Sequence, residues 1–247
     1  MEFDAFTSDP HYYHKKIIEY CNRPFASAQE MNEAMIRNYN DIVGKNDRVL
    51  WLGDTLMGGT EAGRAILSRL NGKKYLCLGN HDLAAHKMCE MGFELATDRM
   101  YFHMAGRKIV ANHYDAWNYR SIWDDRYESR RYRVDPASRE VLFHGHTHQK
   151  SKSLLFQVHL GVDAWDYKPA RREEVENVIK NEIPDSFESK DFREKEVCFA
   201  EYKSLLSKKK NSTLDVEKER IDNQIKDSKF DWLRGLGWEK ETKNREK

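Results

Sequence analysis

The chain has 247 residues, a length that fits one large domain or one domain with an appendage. Apolar residues make up 39% and charged residues 34%, which is a globular composition with a very polar surface. Lys and Arg number 42 against 41 Asp and Glu, so a formal net charge of +1 excludes a global electrostatic attraction to nucleic acid or acidic membranes.

Cysteine usage indicates a reducing compartment, and the N-terminal sequence bears on the predicted location. Cys21, Cys77, Cys89 and Cys198 form no CxxC pair and no dense disulfide framework. The first residues lack a basic segment followed by an apolar stretch, and no apolar run is long enough to span a bilayer. We therefore expect a cytoplasmic protein without a membrane partner.

Hydrophobic periodicity predicts alternating strands and helices. In the first part of the chain, strands are expected at 3–7, 48–52 and 75–78, and helices at 14–21, 28–40, 60–70 and 83–91. Further along we expect a hairpin of strands 100–104 and 108–112, strands at 140–143 and 154–160, and a helix at 170–180. This alternation is typical of an α/β protein.

Polar motifs follow the predicted strands. They are Asp9-Pro10-His11, Gly53-Asp54, Gly79-Asn80-His81-Asp82, Asn112-His113-Tyr114 and His144-Gly145-His146-Thr147-His148. Functional sites of open α/β sheets gather at the carboxyl ends of strands, so these motifs are expected to converge. The set contains carboxylates, an amide and imidazoles but no thiolate, which suits hard to borderline divalent metals. Each motif alone is weak, and their joint order predicts the site.

In that order, the motifs resemble the calcineurin-like metallophosphoesterase superfamily. The flanking segments 21–25 and 161–169 resemble a compact branch found in phages and bacteria. The resemblance spans about residues 3–170 and implies a four-layer αββα sandwich of two mixed β-sheets flanked by helices. We expect a catalytic domain at 1–170 and a charged, mostly helical C-terminal extension at 171–247.

The resemblance implies two divalent metal ions that share one carboxylate, that of Asp54. A bridging carboxylate is physically reasonable because it screens the repulsion between two closely spaced cations. Manganese is the first expectation, and iron, zinc, nickel or cobalt also suit these ligands. The implied ligands are Asp9, His11 and His148 for the first metal, and Asn80, His113 and His146 for the second.

The resemblance also implies the catalytic groups. A metal-bridging hydroxide would attack phosphorus in line, and no covalent phosphoenzyme is required. His81 would stabilise the phosphoryl oxygens or protonate the departing alkoxide. Asp82 is the candidate for orienting the His81 imidazole, with helix capping as an equal alternative.

Substrate contacts are predicted from local composition. Segment 119–133 mixes Arg with Trp and Tyr, and Arg126 and Arg130 could bind a phosphorylated aromatic group. An amphipathic helix with a solvated arginine face is the favoured alternative for this segment. Further candidates are His14, one helical turn after the first ligand pair, and Asn22 and Arg23 after the first helix.

Three functions are compatible with the sequence. The first expectation is a phosphomonoesterase for a small metabolite such as a (deoxy)nucleoside monophosphate. The alternative is a phosphodiesterase or nuclease acting on cyclic nucleotides or nucleic acid, although long nucleic acid is disfavoured because no basic stripe is present. A non-catalytic metal-bound scaffold is third, and His81 argues against it. The extension could cap the site, form a homodimer or do neither.

Overall fold

The computed structural model describes residues 1–116, 127–132, 134, 138–185, 201, 204, 205, 208 and 213–225. The strands are β1 (Ala5–Thr7), β2 (Arg48–Trp51), β3 (Lys73–Cys77), β4 (Leu95–Thr97), β5 (Arg99–Met104), β6 (Arg107–Asn112), β7 (Val141–His144), β8 (Ser153–Leu154), β9 (Gln157–His159) and β10 (Ala170–Arg171). The helices are α1 (Lys15–Tyr20), α2 (Ala28–Ile42), α3 (Thr60–Leu67), α4 (Ala85–Met91), α5 (Arg172–Glu182) and α6 (Asp215–Ile225).

The strands form two mixed five-stranded sheets. The first has the order β10-β1-β2-β3-β4, in which β1 to β4 are parallel and β10 is antiparallel. The second has the order β5-β6-β7-β9-β8, with β6, β7 and β9 parallel. Two mixed sheets flanked by helices confirm the predicted α/β fold.

Strand β2 contributes buried apolar side chains to both faces of the first sheet. Val49 and Trp51 belong to a core shared with helices α2, α3 and α4, whereas Leu50 and Leu52 belong to a core shared with the second sheet. Successive side chains of a strand point to opposite faces, so a continuous apolar run is what a strand covered on both faces requires.

Aromatic rings fill the core between the sheets. The ring of Phe6 lies 6.2 Å from that of Phe102 and 5.4 Å from that of Phe143, and Phe3 lies 5.2 Å from Phe102. Phe3 and Phe6 come from the β1 region, while Phe102 and Phe143 come from β5 and β7. These ring contacts hold together the two sheets that carry the polar loops.

One strand prediction is wrong. Segment 154–160, expected as a single strand, is a hairpin of β8 and β9. Leu155 turns the chain with φ of 56°, and Phe156 is buried in the turn. No Gly or Pro lies in this turn, so the apolar run gives no sequence signal that separates the two strands.

The chain beyond residue 170 contributes to the core. Arg171 in β10 pairs with Ala5, and helix α5 buries Val175, Val178 and Ile179 in the core between the sheets. The domain boundary at 170 stays a prediction. Helix α6 lies further along the predicted extension, and Ile221 within it is buried. Among the described residues, no helix combines the length and apolar character needed to cross a bilayer.

Candidate metal centre

The predicted ligand motifs lie in loops that follow parallel strands of both sheets. Asp9 and Asp54 follow β1 and β2, Asn80 follows β3, His113 follows β6, and the His146 loop follows β7. Parallel strands end at the same edge of a sheet, and the two sheets stack, so these loops meet at one rim.

Asp54 lies at the centre of this rim. Its Oδ2 is 3.5 Å from His11 Nε2, and its Oδ1 is 3.6 Å from His113 Nε2. The Asp54 side chain is 3% exposed. The two oxygens of one buried carboxylate therefore face two different imidazoles.

A first ligand set surrounds Asp54 Oδ2. Asp9 Oδ1 lies 4.0 Å from His11 Nε2 and 3.9 Å from His148 Nε2. One potential ligand atom from each of Asp9, His11 and His148 lies within 4.8 Å of the others. This spacing is what a single cation between the three side chains requires.

A second ligand set surrounds Asp54 Oδ1. His113 Nε2 lies 3.1 Å from Asn80 Oδ1 and 3.1 Å from His146 Nδ1. Ligand atoms of Asp54, His113 and His146 again lie within 4.8 Å of one another. The structure thus brings all seven predicted ligands together in the predicted two groups.

Unpaired buried atoms indicate that a cation fits the first set. Asp9 Oδ1 and His11 Nε2 are buried and have no hydrogen-bond partner in the described structure. The other Asp9 oxygen accepts a 2.9 Å hydrogen bond from the backbone N–H of His146. Buried polar atoms are rarely left unpaired, so the unpaired oxygen and nitrogen that face each other fit a divalent ion.

Hydrogen bonds orient two of the imidazoles. His113 Nδ1 donates to the backbone carbonyl of Leu52 over 2.6 Å, and His148 Nδ1 donates to Asp163 Oδ2 over 2.8 Å. Both contacts place the ring proton on Nδ1 and leave Nε2 as an acceptor that points at Asp54 or Asp9. This is the arrangement found around histidines that bind metals.

The ligand loops adopt an uncommon backbone conformation. Five ligand residues have φ in the left-handed region: Asp9 (55°), His11 (52°), Asp54 (54°), His146 (65°) and His148 (48°). Non-glycine residues rarely adopt it, and such residues cluster at functional sites, where the surrounding structure holds them.

Two glycines permit the close approach of these loops. A Cβ on Gly79 would lie 2.2 Å from Asp54 Oδ1, and a Cβ on Gly145 would lie 2.2 Å from Asp9 Oδ2 and 2.0 Å from Ser8 Oγ. Any larger residue would displace a carboxylate, because 2.2 Å is far inside contact distance.

Asp82 links two ligand loops. Its carboxylate accepts hydrogen bonds from the backbone N–H groups of Asp54 (2.9 Å), Thr55 (2.9 Å) and Gly79 (2.8 Å). No described hydrogen bond joins it to the His81 imidazole, and the N-cap of α4 is Ala84. The contacts favour a structural role over both predicted ones, orientation of the imidazole and helix capping.

Burial opposes ionisation of the central carboxyls in the metal-free protein. It raises the pKa of Asp9 to about 7, and burial together with the charge of Asp82 raises the pKa of Asp54 well above its ordinary value. Burial and the nearby His148 lower the pKa of His11. Buried carboxyls that resist ionisation and imidazoles that resist protonation are stabilised together by a bound cation.

His81 and His14 lie at the open side of the centre. The His81 side chain is 38% exposed, and its Nε2 is 3.9 Å from Asp54 Oδ2. The His14 ring is 5.3 Å from that of His11 and 6.2 Å from that of His81. Burial, and then the charge of His113, lower the pKa of His81. The two histidines therefore adjoin the first ligand set, and both reach solvent.

The other predicted substrate contacts have different outcomes. Arg130 lies near the second set, because its Nη1 donates to the Tyr114 hydroxyl over 3.3 Å and the Tyr114 ring is 5.1 Å from that of His146. Asn22 is exposed just after α1. Arg126 lies outside the described residues.

Arg23 is buried instead of facing a substrate. It is 4% exposed, and its guanidinium donates to Asp163 and to the backbone carbonyls of Asp9 and Pro10. Because the guanidinium of Arg23 is hydrogen-bonded to acceptors within the protein, its contacts favour a role in positioning these groups over the predicted substrate contact.

Sequence reasoning missed Asp163 as a site residue. Burial alone would raise its pKa, but hydrogen bonds and charge from His148 and Arg23 hold the pKa of Asp163 below its ordinary value. The signal was present, because Gly161-Val162-Asp163 follows β9 as Gly53-Asp54 follows β2.

Comparison with known proteins agrees with this geometry. A model of the calcineurin-like phosphoesterase family matches residues 5–150, more than half of the chain. The chain belongs to this family. Every predicted ligand lies within the matched residues. Membership places the chain among the hydrolases of phosphoester bonds.

Individual relatives extend the comparison. The Gene 66 protein of Mycobacterium phage L5 is 30% identical over 71% of this chain and 93% of its own length. An uncharacterized protein of Methanocaldococcus jannaschii is 43% identical over 82 residues, 32% of this chain and 47% of that protein, so the matched region spans about half of its length. A protein of unknown function from Aquifex aeolicus shares the fold, with TM-score 0.57 and 24% identity over 71% of this chain and 98% of its own.

Proposed function

We propose that the protein is a phosphomonoesterase that uses two divalent metal ions and acts on a small phosphorylated metabolite, such as a (deoxy)nucleoside monophosphate. The observation that carries this proposal is the Asp54 carboxylate, whose two oxygens lie 3.5 Å from His11 Nε2 and 3.6 Å from His113 Nε2. A buried carboxylate between two ligand sets is the arrangement expected of a two-metal site.

Manganese is the first candidate for both ions. Asp9, His11, His148 and Asp54 Oδ2 would hold one ion, and Asn80, His113, His146 and Asp54 Oδ1 would hold the other. When bound, such ions activate water and neutralise charge on phosphoryl oxygens. Oxygen and imidazole nitrogen ligands also accept iron, zinc, nickel or cobalt.

His81 is the proposed proton donor to the leaving group. Its imidazole is exposed on one side and lies 3.9 Å from Asp54 Oδ2 on the other, so it can contact a phosphate ester held at the centre. The backbone N–H of His81 donates to Asp54 Oδ1 over 2.9 Å, which fixes the residue relative to the bridging carboxylate. Protonation of the departing oxygen requires the imidazolium form of His81, which the negative charge of a bound phosphate ester would favour, and the proton transfer leaves a neutral imidazole.

The charge distribution supports a small substrate. The whole chain carries a formal charge of +1, so it lacks the excess of cations that neutralises many phosphates of a long nucleic acid. His14 and Arg130 supply local polar groups on two sides of the centre. A single terminal phosphate needs no more than such local groups together with the metals.

An assay of ester class tests the proposal. Demetallated full-length protein, reloaded with Mn²⁺, is given an aryl phosphate monoester, an aryl phosphate diester and a panel of nucleoside monophosphates. We expect metal-dependent hydrolysis of monoesters, loss of activity with a chelator, and no activity of Asp54→Asn. Faster hydrolysis of the diester would replace the monoesterase proposal with a phosphodiesterase. Absence of hydrolysis in every metal-loaded sample would contradict an enzymatic function.

A further inference from the structure

A buried ion pair adjoins the first ligand set. Arg23 Nε donates to Asp163 Oδ1 over 3.0 Å and Arg23 Nη2 donates to Asp163 Oδ2 over 2.8 Å, although the residues are 140 positions apart. Both side chains are fully buried. Burying two charges costs free energy unless further hydrogen bonds satisfy them. The other hydrogen bonds of this pair therefore identify the groups that it positions.

Asp163 holds one of the ligand imidazoles. Its Oδ2 accepts the hydrogen bond from His148 Nδ1 as well as that from Arg23. The carboxylate thereby fixes both the tautomer and the direction of the ring, because it accepts the proton on Nδ1 and the lone pair then lies on Nε2. A carboxylate partner also makes the imidazole a stronger ligand.

Arg23 holds the loop that carries the other two ligands. Its Nη2 donates to the carbonyl of Asp9 over 2.8 Å, and its Nη1 donates to the carbonyl of Pro10 over 2.9 Å. Asp9 and His11 are the residues of this loop with φ of 55° and 52°. Such a backbone persists only where neighbouring groups over-determine it, and the guanidinium supplies two of the required contacts.

The second ligand set has a different support. His113 Nδ1 donates to the uncharged carbonyl of Leu52, a residue at the end of β2 in the core between the sheets. Leu52 also accepts a hydrogen bond of 2.7 Å from Ser8 Oγ. The orientation of His113 therefore depends on the backbone of the sheet and not on a charged partner.

We infer that the Arg23–Asp163 pair is a positioning unit for the first metal site, holding the three ligands Asp9, His11 and His148, and that it sets the metal affinity of this site independently of the second. The inference rests on the proposed two-metal function. Its consequence is that damage to the pair leaves a protein that binds metal at the second site with normal affinity and at the first with lowered affinity.

The test measures Mn²⁺ binding and not turnover. Demetallated full-length wild type, Asp163→Asn and Arg23→Lys are titrated with Mn²⁺ alone in a calorimeter, and bound Mn²⁺ is counted by elemental analysis. We expect two ions in the wild type. In each variant, one dissociation constant should rise by about 10- to 100-fold, the range typical when a partner of a metal ligand is lost, and the other should stay unchanged. Arg23→Lys keeps the charge and serves if Asp163→Asn does not fold.

Combined variants show whether Asp163 acts through His148. In the His148→Ala background, adding Asp163→Asn should lower the Mn²⁺ affinity of the first site by a smaller factor than in the wild type, because the contact with His148 is already lost and only the support of the Asp9 loop through Arg23 remains. In the His113→Ala background, which keeps the first set, Asp163→Asn should have its full effect. A merely structural contribution would lower affinity alike in both backgrounds, and that result would overturn the inference.

Glu140→Gln provides a matched control. Glu140 is a buried carboxylate that pairs with Lys108 and accepts a hydrogen bond of 2.8 Å from Tyr132, just before β7 and thus at the end of that strand opposite the ligands. This variant should bind two Mn²⁺ ions like the wild type. Equal affinities in Asp163→Asn and wild type would overturn the inference alone, whereas a wild type that binds no Mn²⁺ would overturn the proposed function as well.

Discussion

The two ligand sets share one carboxylate but are built differently. In the first set, Asp9 and His11 come from a single loop, which the buried Arg23–Asp163 pair holds together with His148. In the second set, the ligands come from three loops, and a backbone carbonyl orients His113. A charged partner, Asp163, thus orients an imidazole of the first set, whereas an uncharged backbone carbonyl orients an imidazole of the second.

Removing the shared carboxylate charge should break both sets at once. Asp54→Asn is expected to lower kcat/KM by more than the roughly 100-fold that loss of a supporting partner causes, because one uncharged amide oxygen replaces the two carboxylate oxygens that face the two sets. The measurement is kcat/KM for the aryl monoester, with Mn²⁺ content determined on the same sample. Near-normal activity of a clean preparation would reject the bridging assignment.

Removing His81 should break neither set. His81→Ala is expected to lower kcat by about 100-fold, the lower value typical of a lost general acid, while two Mn²⁺ ions remain bound. The loss should be smallest for monoesters with good leaving groups, which need little protonation. The measurement is kcat across a series of aryl phosphates. Equal losses along the series would exclude a role in protonating the leaving group.

Metal binding should stabilise the fold through both sets. At Mn²⁺ concentrations about 100 times a dissociation constant, one site contributes about 2.7 kcal/mol, and Tm should rise by roughly 5 to 10 °C. His148→Ala and His113→Ala, each of which keeps one set, should retain part of this rise. Thermal melting with and without Mn²⁺ measures it. An unchanged Tm in the wild type at saturating Mn²⁺ would contradict the assignment of both sets as metal sites.

A small steric change should sharpen the comparison by damaging the first set more than the second. In Gly145→Ala, the new Cβ meets Asp9 Oδ2 and Ser8 Oγ, so the fold is expected to lose about 1 to 3 kcal/mol and the first Mn²⁺ to bind more weakly. Chemical denaturation and Mn²⁺ titration measure the two effects. If the second Mn²⁺ site weakened as much as the first, the two sets would not be independent.

The sequence predicted the elements that depend on local pattern. The strands ending before Asp9, Asp54 and Asn80 and the hairpin of β5 and β6 follow from hydrophobic runs and turn residues, and the structure has them. The joint order of the motifs, through the family resemblance, grouped Asp54 with the six residues that the structure places around it.

The sequence could not predict contacts that depend on distant pairing. The sequence predicts Arg23 as a substrate contact, because its observed partner Asp163 lies 140 positions away and no nearby residue indicates the pairing. The sequence predicts that Asp82 orients His81 or caps a helix, yet its carboxylate accepts a hydrogen bond from the backbone N–H of Asp54, 28 positions away. The chain turns at Leu155 without a Gly or Pro, so the hydrophobic pattern predicts one continuous strand across the observed turn.

Anomalous scattering from Mn²⁺-loaded crystals tests the central claim most directly. The account predicts two anomalous peaks about 3.5 to 4 Å apart, with one Asp54 oxygen bound to each ion. His11 and His148 should contact one peak, and His113 and His146 the other. An empty cavity, or a single ion bound by both Asp54 oxygens, would contradict it.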